Sequence, residues 1–217
     1  MSDELVFYTH PMSRGRIIRW MLEEVGAPYR TELLDFGTNA KDPAYLAINP
    51  MGKVPAILHG DTIVTEVAAI CAYLADAFPK AGLAPPPGDK ARGPYFRWLF
   101  FAAGPLEAAV GDRALGIEDV PAEKRGMIGY GCYDDMVRTL EAAVTSADPW
   151  LTGDRFTAAD LYVGAHLGWG LQFGSLPRKP VFEAFVQRCM ARPAAQRANG
   201  IDDALLAAQQ APEPANA

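Results

Sequence analysis

Apolar residues in the first 80 positions follow two kinds of spacing, one typical of β-strands and one typical of α-helices. Strand-like apolar runs occur at four places: residues 5–8, 29–34, 55–58 and 63–65. Helical spacing of apolar residues occurs at residues 13–25 and 67–78. Gly26 predicts the end of the first helix, and the Gly60-Asp61 turn predicts a hairpin between the last two strands.

The order strand, helix, strand, hairpin, helix is that of a thioredoxin-like α/β domain, although other small α/β arrangements share this periodicity. Prolines and glycines are too dense at residues 79–94 for a regular element. We therefore expect an α/β, thioredoxin-like N-terminal domain at residues 1–80, a linker at 81–94 and an all-helical C-terminal domain at 95–217.

The second half of the chain shows helical spacing only. A helix at residues 95–110 is expected to be interrupted at Gly104-Pro105, because proline lacks a backbone N–H and clashes with the preceding turn. Other predicted helices are residues 122–145, 157–171 and 181–190, with a weaker one at 201–209. The Pro- and Ala-rich tail at 210–217 is expected to fray.

Composition narrows the classes of function. Half of the 217 residues are hydrophobic and 21% are charged, which excludes a disordered or fibrous chain. The net charge of −6 disfavours nucleic acid and anionic membrane surfaces as partners. Widely spaced Cys71, Cys132 and Cys189 form no disulfide framework and no metal motif, and a signal-peptide pattern is missing. These features predict a cytoplasmic protein with reduced thiols and no metal.

The loop before the first helix holds the most informative residues. Ser13 stands at the start of the helix, where a serine usually caps backbone N–H groups. Three arginines lie in the first turns: Arg14, Arg16 and Arg19. Cations oppose the helix dipole there, so either an anion binds at this helix start or the arginines face solvent or pair with acids such as Glu23 and Glu24.

Two further segments bear on binding. Pro55 opens an apolar strand, and the rarity of cis X-Pro bonds predicts an ordinary trans bond. A cis bond would instead free the Val54 backbone groups to pair with an extended peptide ligand. Thr65 predicts an N-cap and Glu66 the first turn of the next helix, which is also what a merely well-capped helix requires.

Together these motifs resemble the glutathione S-transferase family. The shared order is a hydroxyl-bearing loop before the first helix, Val-Pro opening the third strand, Thr-Glu before a helix, a Pro-rich linker and then helices. Thr157 and Asp160 resemble the family's capping box, in which each side chain satisfies the other's backbone N–H. The resemblance spans about residues 5–190.

The resemblance implies a glutathione site on the first domain. The Val54 backbone would pair with the cysteinyl unit ahead of a cis Pro55, and Glu66 would meet the γ-glutamyl amine. The N–H of Val67 would meet the γ-glutamyl carboxylate, although many family members carry a serine or threonine there. Lysines and an asparagine are the remaining implied contacts: Lys53 for the glycyl carboxylate, then Lys41 and Asn49.

The implied reaction is attack of the glutathione thiolate on an electrophilic carbon. Lowering the thiol pKa by ~2 units needs ~2.7 kcal/mol, which one hydroxyl hydrogen bond and a helix N-terminus can supply. Ser13 stands where serine- and cysteine-type members carry their active residue, and Tyr8 stands near that of tyrosine-type members. His10, if protonated, is a third candidate, although an exposed loop histidine is the simpler interpretation. Of the three we expect Ser13.

The electrophile is expected against the helical domain, although burial in the core is the competing interpretation of its aromatic residues. The candidates are Phe100, Phe101, His166 and Trp169, with Phe173. Partners implied by the resemblance are glutathione, a small apolar electrophile and a second copy in a homodimer. The alternatives are a non-catalytic glutathione-binding module, glutathione-dependent thiol-disulfide exchange, an isomerase or a dehalogenase.

Overall fold

A computed structural model of the chain describes residues 4–117 and 120–210, so most of the predicted tail lies outside the described residues. The chain divides into two compact units. The first comprises Met1–Tyr73 together with Arg192–Ala217, and the second is Leu74–Ala191. The last helix is therefore grouped with the sheet and the helices of the N-terminal part rather than with the helices of Leu74–Ala191.

The sheet of the first unit has the strand order β2-β1-β3-β4. Its strands are β1 (Leu5–Thr9), β2 (Arg30–Leu33), β3 (Ala56–His59) and β4 (Thr62–Thr65). β1 pairs parallel with β2 and antiparallel with β3, and β3 and β4 form the predicted hairpin with Gly60 at φ 62° in the turn. This sheet and its helices confirm the thioredoxin-like fold of the N-terminal part.

The helices follow the predicted positions with a few corrections. In chain order the α-helices of the described residues are α1 (Gly15–Val25), α2 (Pro43–Leu46), α3 (Val67–Ala77), α4 (Arg92–Phe101), α5 (Glu107–Ala114), α6 (Tyr133–Thr145), α7 (Ala158–Phe173), α8 (Pro180–Met190) and α9 (Pro193–Gln210). Gly26 ends α1 as predicted, with φ 71° and its N–H donated to the Leu22 carbonyl. None of these helices is long and apolar enough to cross a membrane.

Two helix predictions in the second unit are wrong in detail. Pro105 does not break the helix; α4 continues through a π-helical segment, Ala102–Leu106, directly into α5. The wider π turn accommodates a residue that cannot donate a backbone hydrogen bond. The helix predicted at 122–145 is two elements, a 3₁₀ helix at Ala122–Met127 and then α6, with Gly131 at φ 70° between them.

Helix α9 begins eight residues earlier than the weak helix predicted at 201–209. Its buried face consists of Ala194, Ala195, Ala198 and Asp202. Small side chains and a carboxylate give almost no hydrophobic periodicity, which is why the pattern underestimated this helix. Its packing against α1 brings it into the first unit.

Ion pairs join α1 to the first half of α9 and to Arg192, the residue before it, with opposite charge order on the two segments. Bases early in α1 meet acids in the middle of α9, and acids late in α1 meet bases just before α9 and in its early turns. The pairs are Arg16 with Asp203, Arg19 with Asp202 at 3.1 Å, Glu23 with Arg197 at 3.0 Å and Glu24 with Arg192 at 2.6 Å.

Candidate functional site

The strand register gathers three chain segments at one end of the sheet. Tyr8 pairs with Ala56, and Ala56 pairs with Thr65 on its other side. The segments that follow β1, precede β3 and follow β4 therefore leave the sheet at the same end. These segments hold three groups of predicted site residues: Ser13 with its loop, Val54 with Pro55, and Glu66 with Val67.

Ser13 is half-buried, and its hydroxyl is held on both sides. Helix α1 begins at Gly15, and its N-cap residue makes no side-chain capping bond. Instead the Gly15 N–H donates to Ser13 Oγ at 2.9 Å, and Ser13 Oγ donates to the His10 carbonyl at 2.6 Å. The hydroxyl oxygen thus lies at the N-terminal end of α1, and its O–H donates to a backbone carbonyl.

His10 is buried, not exposed as a loop histidine would be, with 7% of its surface accessible. Its Nδ1 accepts a hydrogen bond from the Met12 N–H at 3.1 Å, and its ring packs on Phe36 at 4.5 Å between centroids. A ring nitrogen that accepts from a backbone N–H has no hydrogen to donate, so Nδ1 of His10 cannot donate to a thiolate in this arrangement.

Tyr8 lies within a small apolar cluster at the same end of the sheet. Its ring packs 5.5 Å from the ring of Tyr45, and the cluster also contains Leu34 and Ala56. Val54 packs against the same cluster, so Tyr8 and Val54 share these apolar neighbours.

Two of the helix-start arginines have carboxylate partners within the chain. Arg19 is 2% exposed, pairs with Asp202 and also donates to Thr31 Oγ1 at 2.8 Å. Arg16 pairs with Asp203 and donates to the Pro11 carbonyl at 2.9 Å. Pairing with acids is therefore the correct alternative, although the acids come from α9 rather than from Glu23 and Glu24. Neither arginine is evidence for an external anion.

Side chains from α2 and from the residues on either side of it hold the loop before β3. Lys53 offers its carbonyl to two donors, the Tyr45 hydroxyl at 2.5 Å and Asn49 Nδ2 at 2.8 Å. Lys41 donates from Nζ to the Met51 carbonyl at 2.8 Å. The side chains of Lys41 and Asn49, which were predicted to bind the ligand, thus donate hydrogen bonds to carbonyls of the loop. The Lys53 side chain is exposed.

The Val54-Pro55 bond in this loop is cis, so the trans bond expected from frequency alone is wrong and the resemblance was the better guide. The sequence analysis did not identify Tyr45 as a functional residue. Tyr45 lies in α2, a helix of four residues, which is too short to show a periodic pattern of apolar positions.

The backbone of Glu66 has a conformation that residues other than glycine rarely adopt. Thr65 is the last residue of β4, and the helix begins at Val67, so the prediction that Thr65 is the N-cap is wrong. Glu66 between them has φ 67°, the left-handed region, where a non-glycine residue is uncommon and strained by about 1–3 kcal/mol. The first intrahelical bond runs from Ile70 N–H to the Glu66 carbonyl, which leaves the N–H groups of residues 67–69 outside the helix ladder.

The predicted electrophile residues lie in the second unit and contact different partners. Phe100 is 65% exposed and stacks on Phe96, whereas the Phe101 ring contacts Trp98. Helix α7 carries the others: His166 is buried beside Tyr162 and 3.7 Å from Glu107, Trp169 is half-buried, and Phe173 is 73% exposed. His166 is therefore a core residue of its unit.

The capping box that opens α7 is present. Asp160 Oδ2 accepts from the Thr157 N–H and the Thr157 hydroxyl, both at 2.9 Å, and Oδ1 accepts from the Leu151 N–H at 2.7 Å. Asp160 is fully buried, and burial raises its pKa to about 6. The motif fixes the start of the central helix of the second unit.

Comparison with known proteins agrees with this arrangement. The profiles described as the N-terminal and C-terminal domains of glutathione S-transferase match residues 4–76 and 134–193. Glutathione S-transferase GstA of Escherichia coli O157:H7 is 34% identical over 156 residues, covering 71% of this chain and 76% of the relative.

Solved structures show the same likeness over nearly the whole chain. A glutathione transferase from Methylococcus capsulatus has a TM-score of 0.76 and 29% identity, covering 92% of this chain and 99% of that one. A sphingomonad glutathione S-transferase solved with glutathione has a TM-score of 0.73 and 26% identity, covering 91% and 98%. With both domain profiles matched in order, the chain belongs to the glutathione S-transferase family.

Proposed function

We propose that this protein is a glutathione transferase in which the glutathione thiolate attacks a small apolar electrophile. The observation that carries the proposal is the strand register, which gathers the Ser13 loop, Val54 with cis Pro55 and the start of α3 at one end of the sheet. Membership of the family and the glutathione bound in the sphingomonad relative support it.

The residues at this end suit an extended tripeptide that carries two carboxylates and one amine. Val54 offers backbone hydrogen-bonding groups beside a strand, as in strand addition. Glu66 offers a carboxylate to the γ-glutamyl amine, and the N–H groups that open α3 suit the neighbouring carboxylate. Because Val67 has no hydroxyl, that carboxylate depends on backbone groups. The exposed ammonium of Lys53 suits the glycyl carboxylate.

Ser13 is the proposed donor to the thiolate. Its proton rests on the His10 carbonyl, and a neutral hydrogen bond of that kind contributes about 0.5–1.5 kcal/mol. A hydrogen bond to a charged sulfur contributes about 1.5–3 kcal/mol, so rotation of the hydroxyl from the carbonyl to the thiolate is favourable. The Gly15 N–H, which already donates to Ser13 Oγ, makes the hydroxyl a stronger donor.

The helical unit is proposed to receive the electrophile. Exposed Phe100 and half-buried Phe101 and Trp169 offer flat apolar surface. The glutathione site would lie within residues 1–80 and the electrophile site on the helices of residues 95–191, with the linker at 81–94 between these segments of the chain. A homodimer and a cytoplasmic location complete the proposal, and size-exclusion chromatography with light scattering tests the former.

The test is conjugation of glutathione to an aryl halide by wild type, Ser13→Ala and Tyr8→Phe. Loss of the Ser13 hydroxyl should lower kcat/KM by about 10- to 100-fold, the rate equivalent of a hydrogen bond to a charged group. Ultraviolet titration of the bound thiol should show its pKa raised in the same variant. Tyr8→Phe should stay within about twofold of wild type. Full activity of Ser13→Ala would contradict the assignment.

The same preparation separates the alternatives. Retention on immobilised glutathione without turnover of any electrophile would indicate a binding module. Thiol-disulfide exchange requires a reactive cysteine, but Ser13 occupies the loop, Cys71 and Cys189 are buried and Cys132 lies in the second unit. We therefore expect no reduction of a mixed glutathione disulfide by wild type, and turnover of that substrate would replace the proposal.

A further inference from the structure

Tyr45 makes a contact with the binding loop that the proposed reaction does not use. Its side chain is 4% exposed, and its hydroxyl donates to the Lys53 carbonyl at 2.5 Å. Asn49 Nδ2 donates to the same carbonyl at 2.8 Å. One backbone oxygen in an exposed loop thus receives two side-chain donors, which fixes its direction in space.

That oxygen belongs to the peptide plane that also carries the Val54 N–H. A trans peptide is planar and points its N–H opposite to its carbonyl. Donors that hold the Lys53 carbonyl toward α2 therefore turn the Val54 N–H away from α2. The direction of this N–H decides whether an extended ligand can pair with the loop.

The Tyr45 ring is itself held in place. It packs against Tyr8 and lies in the buried cluster with Leu34 and Ala56, so the packing of the ring sets the position of the hydroxyl oxygen. Burial raises the pKa of Tyr45 to about 12, so the hydroxyl is protonated and can donate at neutral pH.

We propose that Tyr45 is a positioning residue for glutathione, which acts through the Lys53 carbonyl, together with Asn49, to present the Val54 backbone to the ligand. Asn49, which the resemblance implied as a direct ligand, acts here through the same carbonyl. The inference rests on the proposed function of this site, and it assigns to a buried side chain part of the affinity for the peptide backbone.

The experiment compares Tyr45→Phe with a matched control, Tyr133→Phe. Tyr133 also donates its hydroxyl to a backbone carbonyl, that of Ser175 at 2.7 Å, and it lies in the second unit. Tyr45→Phe should raise the Kd and KM for glutathione about three- to tenfold while kcat stays within about twofold. Both substitutions should lower the Tm by a similar amount, because each removes one hydroxyl hydrogen bond to a backbone carbonyl. Tyr133→Phe should nevertheless leave the KM for glutathione within about twofold of wild type.

Backbone hydrogen exchange gives a readout that a general loss of stability would not reproduce. In Tyr45→Phe, exchange in the peptide covering residues 49–55 should become faster, while the β-hairpin residues 56–65 keep their wild-type rates. Equal acceleration of both segments would mean that Tyr45 merely stabilises the unit and would overturn the inference.

The outcomes distinguish this inference from the proposed function. If calorimetry with glutathione shows no binding to wild type, the proposed function fails and this inference with it. If wild type binds and Tyr45→Phe binds equally well, only the inference fails. Should Tyr45→Phe not fold, Asn49→Ala removes the other donor to the same carbonyl, and an unchanged KM in that variant overturns the inference.

Discussion

Gly15 lies so close to the hydroxyl groups of Thr9 and Ser13 that no side chain fits at its position. A Cβ at this position would lie 1.9 Å from Thr9 Oγ1 and 2.9 Å from Ser13 Oγ. The first turn of α1 can therefore approach the end of β1 only with glycine at this position, and this approach sets where Ser13 stands. The Cβ of Thr9 also lies 3.1 Å from this position, so rotation of the Thr9 hydroxyl alone would not make room for a side chain.

Replacing Gly15 by alanine should therefore displace Ser13 as well as strain the fold. We expect Gly15→Ala to lower the free energy of unfolding by about 1–3 kcal/mol, the usual effect of overpacking, and to reduce conjugation activity. Gly111 in α5 is the matched control, because a Cβ there meets no atom within 4 Å. Gly111→Ala should be neutral or stabilise by up to about 1 kcal/mol. Urea unfolding measures both, and equal stability of the two variants would contradict the steric argument.

At the scale of elements, the pairing of α1 with α9 is the feature that most changes the picture of the first unit. Arg19 and Asp202 are both buried, and Arg19 also lies 5.0 Å from the Phe7 ring centroid. A buried pair of this kind adds little net stability, because removing both charges from water offsets their attraction. Removing one partner has a much larger effect, since the other charge is left buried alone.

Asp202→Ala should therefore destabilise the protein by about 3–5 kcal/mol, whereas the double substitution Arg19→Met with Asp202→Leu should recover most of that loss. The control is Arg178→Ala, which breaks an exposed pair with Glu183 and should change stability by less than about 1 kcal/mol. Thermal and urea unfolding of the four proteins checks the order. A double variant as unstable as Asp202→Ala would show that specific pairing, not uncompensated charge, is what matters.

For the whole molecule, the buried carboxyl of Asp160 links stability to pH. Its pKa rises from the ordinary 3.8 to about 6 because burial disfavours the charged form. Between pH ~4 and ~6 the folded state holds a proton that the unfolded state has released, so stability falls as the pH rises. The contribution is fully present below pH ~4, and it is lost once the pH exceeds the folded pKa.

The expected size of this loss is up to about 3 kcal/mol between pH 4 and pH 6. Other carboxylates also titrate in this range, so the quantity to measure is the difference in unfolding free energy between wild type and Asp160→Asn at each pH. Relative to the variant, wild type should lose stability as the pH rises. A difference that is constant from pH 4 to pH 7 would show that the folded Asp160 titrates like an unfolded one.

Local signals predicted most of the elements and part of the site. The hairpin at Gly60-Asp61, the end of α1 at Gly26 and the capping box of Thr157 and Asp160 each depend on residues a few positions apart, so they can be read from the chain directly. The helix that opens at residue 67 was found for the same reason, but Thr65 was misplaced because β4 continues through it. Boundaries depend on the competition between strand pairing and helix, which one segment does not contain.

The sequence by itself determined the order of strands and helices, the family resemblance and the candidate residues, because periodicity and capping are interactions between near neighbours. Only the tertiary structure decided which residues meet: Arg19 with Asp202, 183 positions away, and Tyr45 with the Lys53 carbonyl. It also buried His10 and joined α9 to the first unit. Long-range contacts such as that of Arg19 with Asp202 form only when the folded chain closes a long loop, and the pattern of residues along the chain does not show which loops close.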